Sequence, residues 1–208
     1  MAHIPDGILS LPVLVGGGII AASGVALALR QLDDRAIPRM AILSAVFFAA
    51  SLISVPVGPS SVHLLLSGVM GLFLGLGIFP AVLVALILQA VLFGFGGLTT
   101  LGVNTLNIAL PGALVGMVLG PMIRRTDSPL WAGAIAAIGS VFSVLATGGM
   151  VALSLWLSSS EFTPVAKVLL LTYLPLALAD AAITAVVVGF IMRVKPLALF
   201  PYLPARRE

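Results

Sequence analysis

The sequence predicts an all-α protein, a polytopic membrane bundle of about seven transmembrane helices, and three observations predict it. Of 208 residues, 61% are hydrophobic and 8% charged, with a mean hydropathy of +1.25, whereas soluble domains hold nearer half their residues apolar. Proline, glycine and charge cut the chain into stretches of roughly 20 apolar residues, the length a helix needs to cross ~30 Å of hydrocarbon. The cations then gather on one side of those stretches.

The expected spans are 10–29, 40–56, 63–79, 80–96, 105–123, 130–157 and 166–192. The third is short, and Gly148-Gly149 is a place for the long sixth to tilt or break. Arg30, Arg35 and Arg39 lie between spans one and two, Arg124 and Arg125 between five and six, and Arg193, Lys195, Arg206 and Arg207 beyond seven. With an odd number of crossings they share a face, which the positive-inside rule assigns to the cytoplasm. The N-terminus is then outside and the C-terminus cytoplasmic, in a multi-pass protein of the inner (plasma) membrane. His3, His63 and Asn104 fall at the outer face.

Several function classes are excluded. Without cysteine there is neither a disulfide framework nor a thiolate metal site. A net charge of +3 carried beside apolar spans is a topology signal, with no nucleic-acid footprint. No Gly-x-x-x-x-Gly-Lys-Ser/Thr pattern occurs, so the chain has no ATP site of that kind. The first residues carry Asp6 where a secretory signal has a basic region, and the start is read as mature. Residues 1–208 form a single integral membrane domain, with 1–9 a segment set apart from the first span.

That segment, "MAHIPDGILS", raises the first chemical question. A deprotonated terminal amine is a nitrogen ligand for a borderline transition metal, and a histidine close behind it closes chelate rings when the intervening amides also deprotonate. Nickel(II) and copper(II) favour such planar nitrogen sets. Pro5 fixes its own φ and extends Ile4, while Asp6-Gly7 favours a turn, so the first three residues are aimed in a set direction. Read alone, His3 is more readily a surface residue at a frayed end.

His63 changes the balance. It follows Gly58-Pro59-Ser60-Ser61 at the outer boundary of span three, where an ionisable group is either paired, for instance with a loop carbonyl or with Ser60 or Ser61, or functional. The two histidines are the only ones in the chain and are expected on one face, which suggests one site. The segment "GGLTTLGVNTLN" adds Thr99, Thr100, Asn104, Thr105 and Asn107, with glycines that permit irregular backbone and close approach. In the functional reading it is a lid or outer support, with Asn104 placed to orient a histidine and Thr100 and Ser61 beside it. In the structural reading it is a satisfied turn.

Asp180, near the middle of span seven, and Gln89, in span four, are the deep polar side chains. Asp180 reads either as an interhelical polar clamp or as the titrating group of a self-sufficient proton-coupled metal carrier. Gly71 with Gly75 and Gly116 with Gly120 are spaced for close helix packing. Trp131 and Trp156 fit interfacial anchors.

Three segments together, "HIPDGILS", "SVHLLLSGVMG" with "FPAVLVALILQAVLFG", and "GGLTTLGVNTLN" with "PGALVG", resemble the CbiM/NikM family over most of residues 1–125. Its members are the substrate-capturing S components of energy-coupling-factor importers for cobalt and nickel, and are not themselves enzymes. The resemblance implies an N-terminal segment inserted into the bundle, where the terminal amine, a backbone nitrogen and the ring of His3 join His63 around Ni2+ or Co2+ as transported substrate. It also implies partners: a transmembrane coupling protein, ATP-binding cassette ATPase subunits that hydrolyse ATP, and a small accessory membrane protein. Family members commonly begin Met-His, and this chain begins Met-Ala-His. If Met1 is removed, Ala2 supplies the amine; if it stays, Met1, Ala2 and His3 fill a plane and His63 is a fifth or alternate ligand. "SVHLLLSG" is closer to the nickel branch than to the "SHPTGTG" form associated with cobalt, so nickel is slightly favoured over cobalt.

Overall fold

A computed structural model of the chain describes residues 3–57 and 60–199, with side chains at all of these except 54–57 and 60–62. Among the described residues seven α-helices follow one another: α1 (Leu11–Arg30), α2 (Ile37–Leu52), α3 (Ser67–Leu74), α4 (Ile78–Phe93), α5 (Leu101–Arg124), α6 (Pro129–Ser158) and α7 (Thr163–Val194). Proline opens α1, α2, α6 and α7, where its missing N–H costs no helical bond and its fixed φ suits the first turn. Between α2 and α3 lie two short antiparallel strands, β1 (Ser54–Val57) and β2 (Ser60–His63), with His63 opposite Ser54.

Six helical stretches among the described residues are long and apolar enough to cross a membrane, against the expected count of about seven. The difference lies in the expected third span, 63–79. Its helix, α3, has eight residues, too few to cross alone, and with α4 it makes one stretch of 27. The chain reverses inside that stretch, at Gly75, whose φ is +54°. Phe73 offers its carbonyl to the Arg39 guanidinium at the start of α2, whereas Ala81 accepts from Ser44 and Gln89 donates to Ser51 further along α2. So α3 runs toward the arginine-bearing end, and α4 returns alongside α2. The expected second span also ends early, at Leu52, because the chain extends into β1.

The long sixth span does not break at Gly148-Gly149, since α6 is continuous from Pro129 to Ser158. Gly148 serves packing instead: a Cβ there would sit 2.7 Å from the Tyr173 ring of α7. The expected glycine pairs are re-partnered as well. A Cβ on Gly71 would strike the carbonyl oxygen of Gly112, and one on Gly116 that of Gly71, so α3 lies backbone to backbone on α5. Gly75 faces open space, and Gly120 lies against the Arg124 side chain. Gly71→Ala will therefore destabilise the fold by about 1–3 kcal/mol through overpacking. A fall in melting midpoint of about 2–4 °C per kcal/mol in detergent checks it.

α5 is the central helix, carrying more buried residues than α1 or α2. The outer faces of α1, α2, α6 and α7 present Leu, Ile, Val and Phe, and Trp131 and Trp156 stand exposed toward opposite ends of α6. Such a surface is a liability in water and ordinary against lipid.

Candidate metal centre

The segment from His3 to Leu9 packs inward. Ile4 and Leu9 are buried in an apolar cluster with Val103 of α5 and Val151 and Leu155 of α6. Asn104 treats Ile4 as a strand would: its Oδ1 accepts from the Ile4 amide at 3.0 Å, and its Nδ2 donates to the Ile4 carbonyl at 3.0 Å. The Thr100 hydroxyl donates to the same carbonyl at 2.7 Å. Asp6 then accepts from the amides of Leu98 and Thr99 at 3.1 and 2.9 Å and from the Thr99 hydroxyl, just ahead of α5. A carboxylate there satisfies two loop amides just ahead of the N-cap Thr100 and complements the dipole of α5. Gly7, with φ +82°, turns the chain away toward α1.

The close approach depends on two glycines. A Cβ on Gly96 would stand 3.3 Å from His3 Cβ, and one on Gly97 would overlap the Asp6 carboxylate and its backbone nitrogen. The glycines of "GGLTTLGVN" thus make room for the segment they receive.

His3 and His63 meet. Both are 5% exposed, and their rings stack with centroids 5.0 Å apart at 19°. The Nδ1–H of His63 donates to the Leu64 carbonyl at 3.0 Å, since a carbonyl only accepts; this leaves Nε2 with a free lone pair. Nε2 of His63 and both ring nitrogens of His3 have no hydrogen-bond partner among the described residues. Burial, and then the charge of neighbouring His63, pull His3 from an ordinary 6.5 down to about 3. Burial lowers His63 too, against the opposing Leu64 bond. Both rings are therefore neutral at pH 7, with lone pairs available to a Lewis acid. The Thr99 hydroxyl holds Asp6 below the usual carboxylate range, outweighing the opposing effect of burial. A cleft of about 580 Å³ opens beside His3, walled by Ile8, Phe93, Phe95, Phe162 and Val165.

The other sequence candidates divide. Asn104 and Thr100 bond to the Ile4 backbone next to His3 and so fix its chain direction, with no hydrogen bond to an imidazole among the described residues. Ser61 pairs with Pro56 in the hairpin; its side chain, like Met1 and Ala2, lies outside the described residues. Thr105 bonds back to Leu101 within α5, and Asn107 reaches Ser154 of α6, both structural roles. Asp180 is fully buried and accepts from the amides of Leu65 and Leu66 at 3.0 and 3.1 Å. Sequence reasoning left its partner open, because backbone amides carry no residue signature. It also missed the grip of Asp6 on "LTT", although an acidic residue facing a glycine-rich helix start was the available signal.

Among the described residues no third His, Cys, Asp or Glu joins the pair. The chain matches over residues 3–198 the family described as CbiM, cobalt uptake substrate-specific transmembrane region. It belongs to the CbiM family. A relative from Haemophilus influenzae is 34% identical over 202 residues, covering 93% of this chain and 95% of its own. The cobalt transport protein CbiM of Sorangium cellulosum is 32% identical over 209 residues, covering 93% and 92%. The fused nickel transport protein NikMN of Rhodobacter capsulatus is 34% identical over 155 residues, which is 70% of this chain and 41% of that longer one. The crystal structure of a transition metal transporter shares the fold, with a TM-score of 0.70 at 24% identity over 96% of this chain and 98% of the other. As a CbiM-family chain it is a multi-pass membrane component of cobalt or nickel transport.

Asn104→Ala removes both bonds to Ile4, leaving its buried amide unpaired at a cost of about 1–3 kcal/mol. We expect the N-terminal segment to undock more often, read as faster hydrogen exchange over residues 4–9 with the helices unchanged.

Proposed function

We propose that this chain captures a divalent nickel or cobalt ion from outside the cell for an ATP-driven importer of the energy-coupling-factor class. One observation carries the reading: three buried imidazole nitrogens, two of them with a free lone pair, have no hydrogen-bond partner among the described residues, on two stacked rings beside Ile4. A buried polar nitrogen left unpaired is costly, and a metal ion is the partner that suits neutral imidazole lone pairs. Among the described residues no other acidic or thiol side chain joins the pair, and in this reading the further donors are the terminal amine and backbone nitrogens at Met1, Ala2 and His3, as the resemblance implies. His3 and His63 supply the rings. A set made of nitrogens in one plane favours nickel(II), and cobalt is the alternative, the ion named for the Sorangium relative.

Capture needs only that the site strip water from the ion and hold it; the cleft beside His3 is the route of entry. Release requires energy that this chain, lacking a phosphate-binding Gly-Lys-Ser/Thr motif, takes from others. We assign that work to a transmembrane coupling protein and ATPase subunits, with a small accessory membrane protein.

Adding one residue ahead of Met1 tests the donor set, because it displaces the amine and leaves every helix intact. Nickel affinity of the purified protein should fall by at least about a hundredfold, beyond the range for an outer-shell partner. Unchanged affinity would reject the terminal amine as a ligand.

A further inference from the structure

We propose that Asp180 is the positioning residue of His63, acting through the single peptide group that joins Leu64 to Leu65. This rests on the capture-site reading above. The Leu65 N–H donates to Asp180 Oδ2 at 3.0 Å, and the Leu64 carbonyl of that same peptide accepts His63 Nδ1–H at 3.0 Å. The order is carboxylate, peptide, imidazole, with the far nitrogen, Nε2, bare. In metal sites a carboxylate commonly holds a histidine ring directly, fixing its tautomer and raising its donor strength. Here the peptide group transmits the same effect, since hydrogen bonds in series polarise one another where water is absent.

The backbone around this peptide needs holding. Leu66 adopts φ +51°, a left-handed conformation that leucine disfavours, and its amide also donates to Asp180. Without the carboxylate, nothing among the described bonds keeps the Leu65 and Leu66 amides satisfied at the break between β2 and α3. Asp180 sits on α7, which packs most extensively on α6. A shift of α7 reaches His63 through the Leu64–Leu65 peptide: drawing the carboxylate away frees the peptide, the tautomer and the strand end together. That gives the importer a way to weaken the site from a helix that contributes no ligand.

The test uses the full chain in detergent, with Asp180→Ala, Asp180→Asn, His63→Ala and the Asp180→Ala/His63→Ala double variant. Asp180→Ala should weaken nickel affinity about 10–100-fold, yet change it by less than about twofold in the His63→Ala background. With copper(II) as probe, pulsed electron paramagnetic resonance should count one coordinated imidazole fewer in Asp180→Ala. Equal losses in both backgrounds would make Asp180 merely structural and overturn the proposal. Because Asp180→Ala is exposed to misfolding, Asp180→Asn serves as the milder variant; it keeps one acceptor and should fall between. A metal-free readout separates the two readings: in His3→Ala protein, where His63 is the single ring, nitrogen-15 spectra should show Nδ1 protonated, shifting toward Nε2–H in Asp180→Asn. No shift sinks the role of Asp180; a shift with His63→Ala leaving nickel affinity unchanged sinks the capture site instead.

Discussion

His63→Ala is expected to lower nickel affinity by more than about a hundredfold, since loss of a ligand should exceed the 10–100-fold effect of an outer-shell partner. The ring has one nitrogen committed to Leu64 and one free, so alanine deletes the only lone pair that the side chain of residue 63 can offer. The metal-free protein should respond differently. Its His63 Nε2 is buried without a partner, and removing it relieves that cost while forfeiting one bond to Leu64. We expect the metal-free melting midpoint to stay within about 4 °C, roughly 1 kcal/mol for a chain this long. Equal losses of affinity and stability would mean that His63 holds the hairpin and not the ion.

The second large effect is with pH. His3 in the docked segment has a pKa of about 3 against an ordinary 6.5. An undocked His3 therefore binds a proton that the docked one refuses, and acid favours undocking. The contribution is intact above pH 6.5 and lost progressively below it; by pH 5 the loss is about 2 kcal/mol, or roughly thirtyfold in the opening equilibrium. His63, lowered as well, adds to the same trend. Asp6 does not enter in this window, because its carboxyl lies below the usual range and stays ionised until the pH falls past it. Hydrogen exchange at residues 4–9 of metal-free protein, corrected for intrinsic rates, should show this rise between pH 6.5 and 5. A flat profile would mean that His3 is not buried when docked.

Much of the geometry of the candidate site was legible in the sequence. Two histidines in a chain of 208 residues, each beside a proline- or glycine-marked turn, pointed to one face, and the structure stacks their rings. Pro5 and Asp6-Gly7 announced a directed segment, and Asn104 and Thr100 were singled out for their polarity in an apolar stretch. What stayed hidden was carried by backbone. Asn104 holds Ile4 and not an imidazole, and Asp180 answers two amides, neither of which has a residue type to read. The third crossing misled for a related reason. Apolarity reports burial in lipid or protein alike, so "HLLLSGVMGLFLGLG" reads as one helix although Leu66 and Gly75 break it at both ends of α3. The glycines around α3 face α5 across sequence distances that spacing rules within one helix do not reach.

The contact between Asp180 and Leu65 spans 115 positions, and it sets an order on biosynthesis. The eight-residue α3 is too brief to be recognised as a membrane segment when it leaves the ribosome, so it must enter in company with α4. Its upper end then waits, with two amides unanswered in an environment free of water, until α7 has been translated and inserted. The peptide that joins Asp180 to His63 is thus among the last parts of the molecule to be secured, and a chain truncated before residue 180 would reach the membrane without that contact.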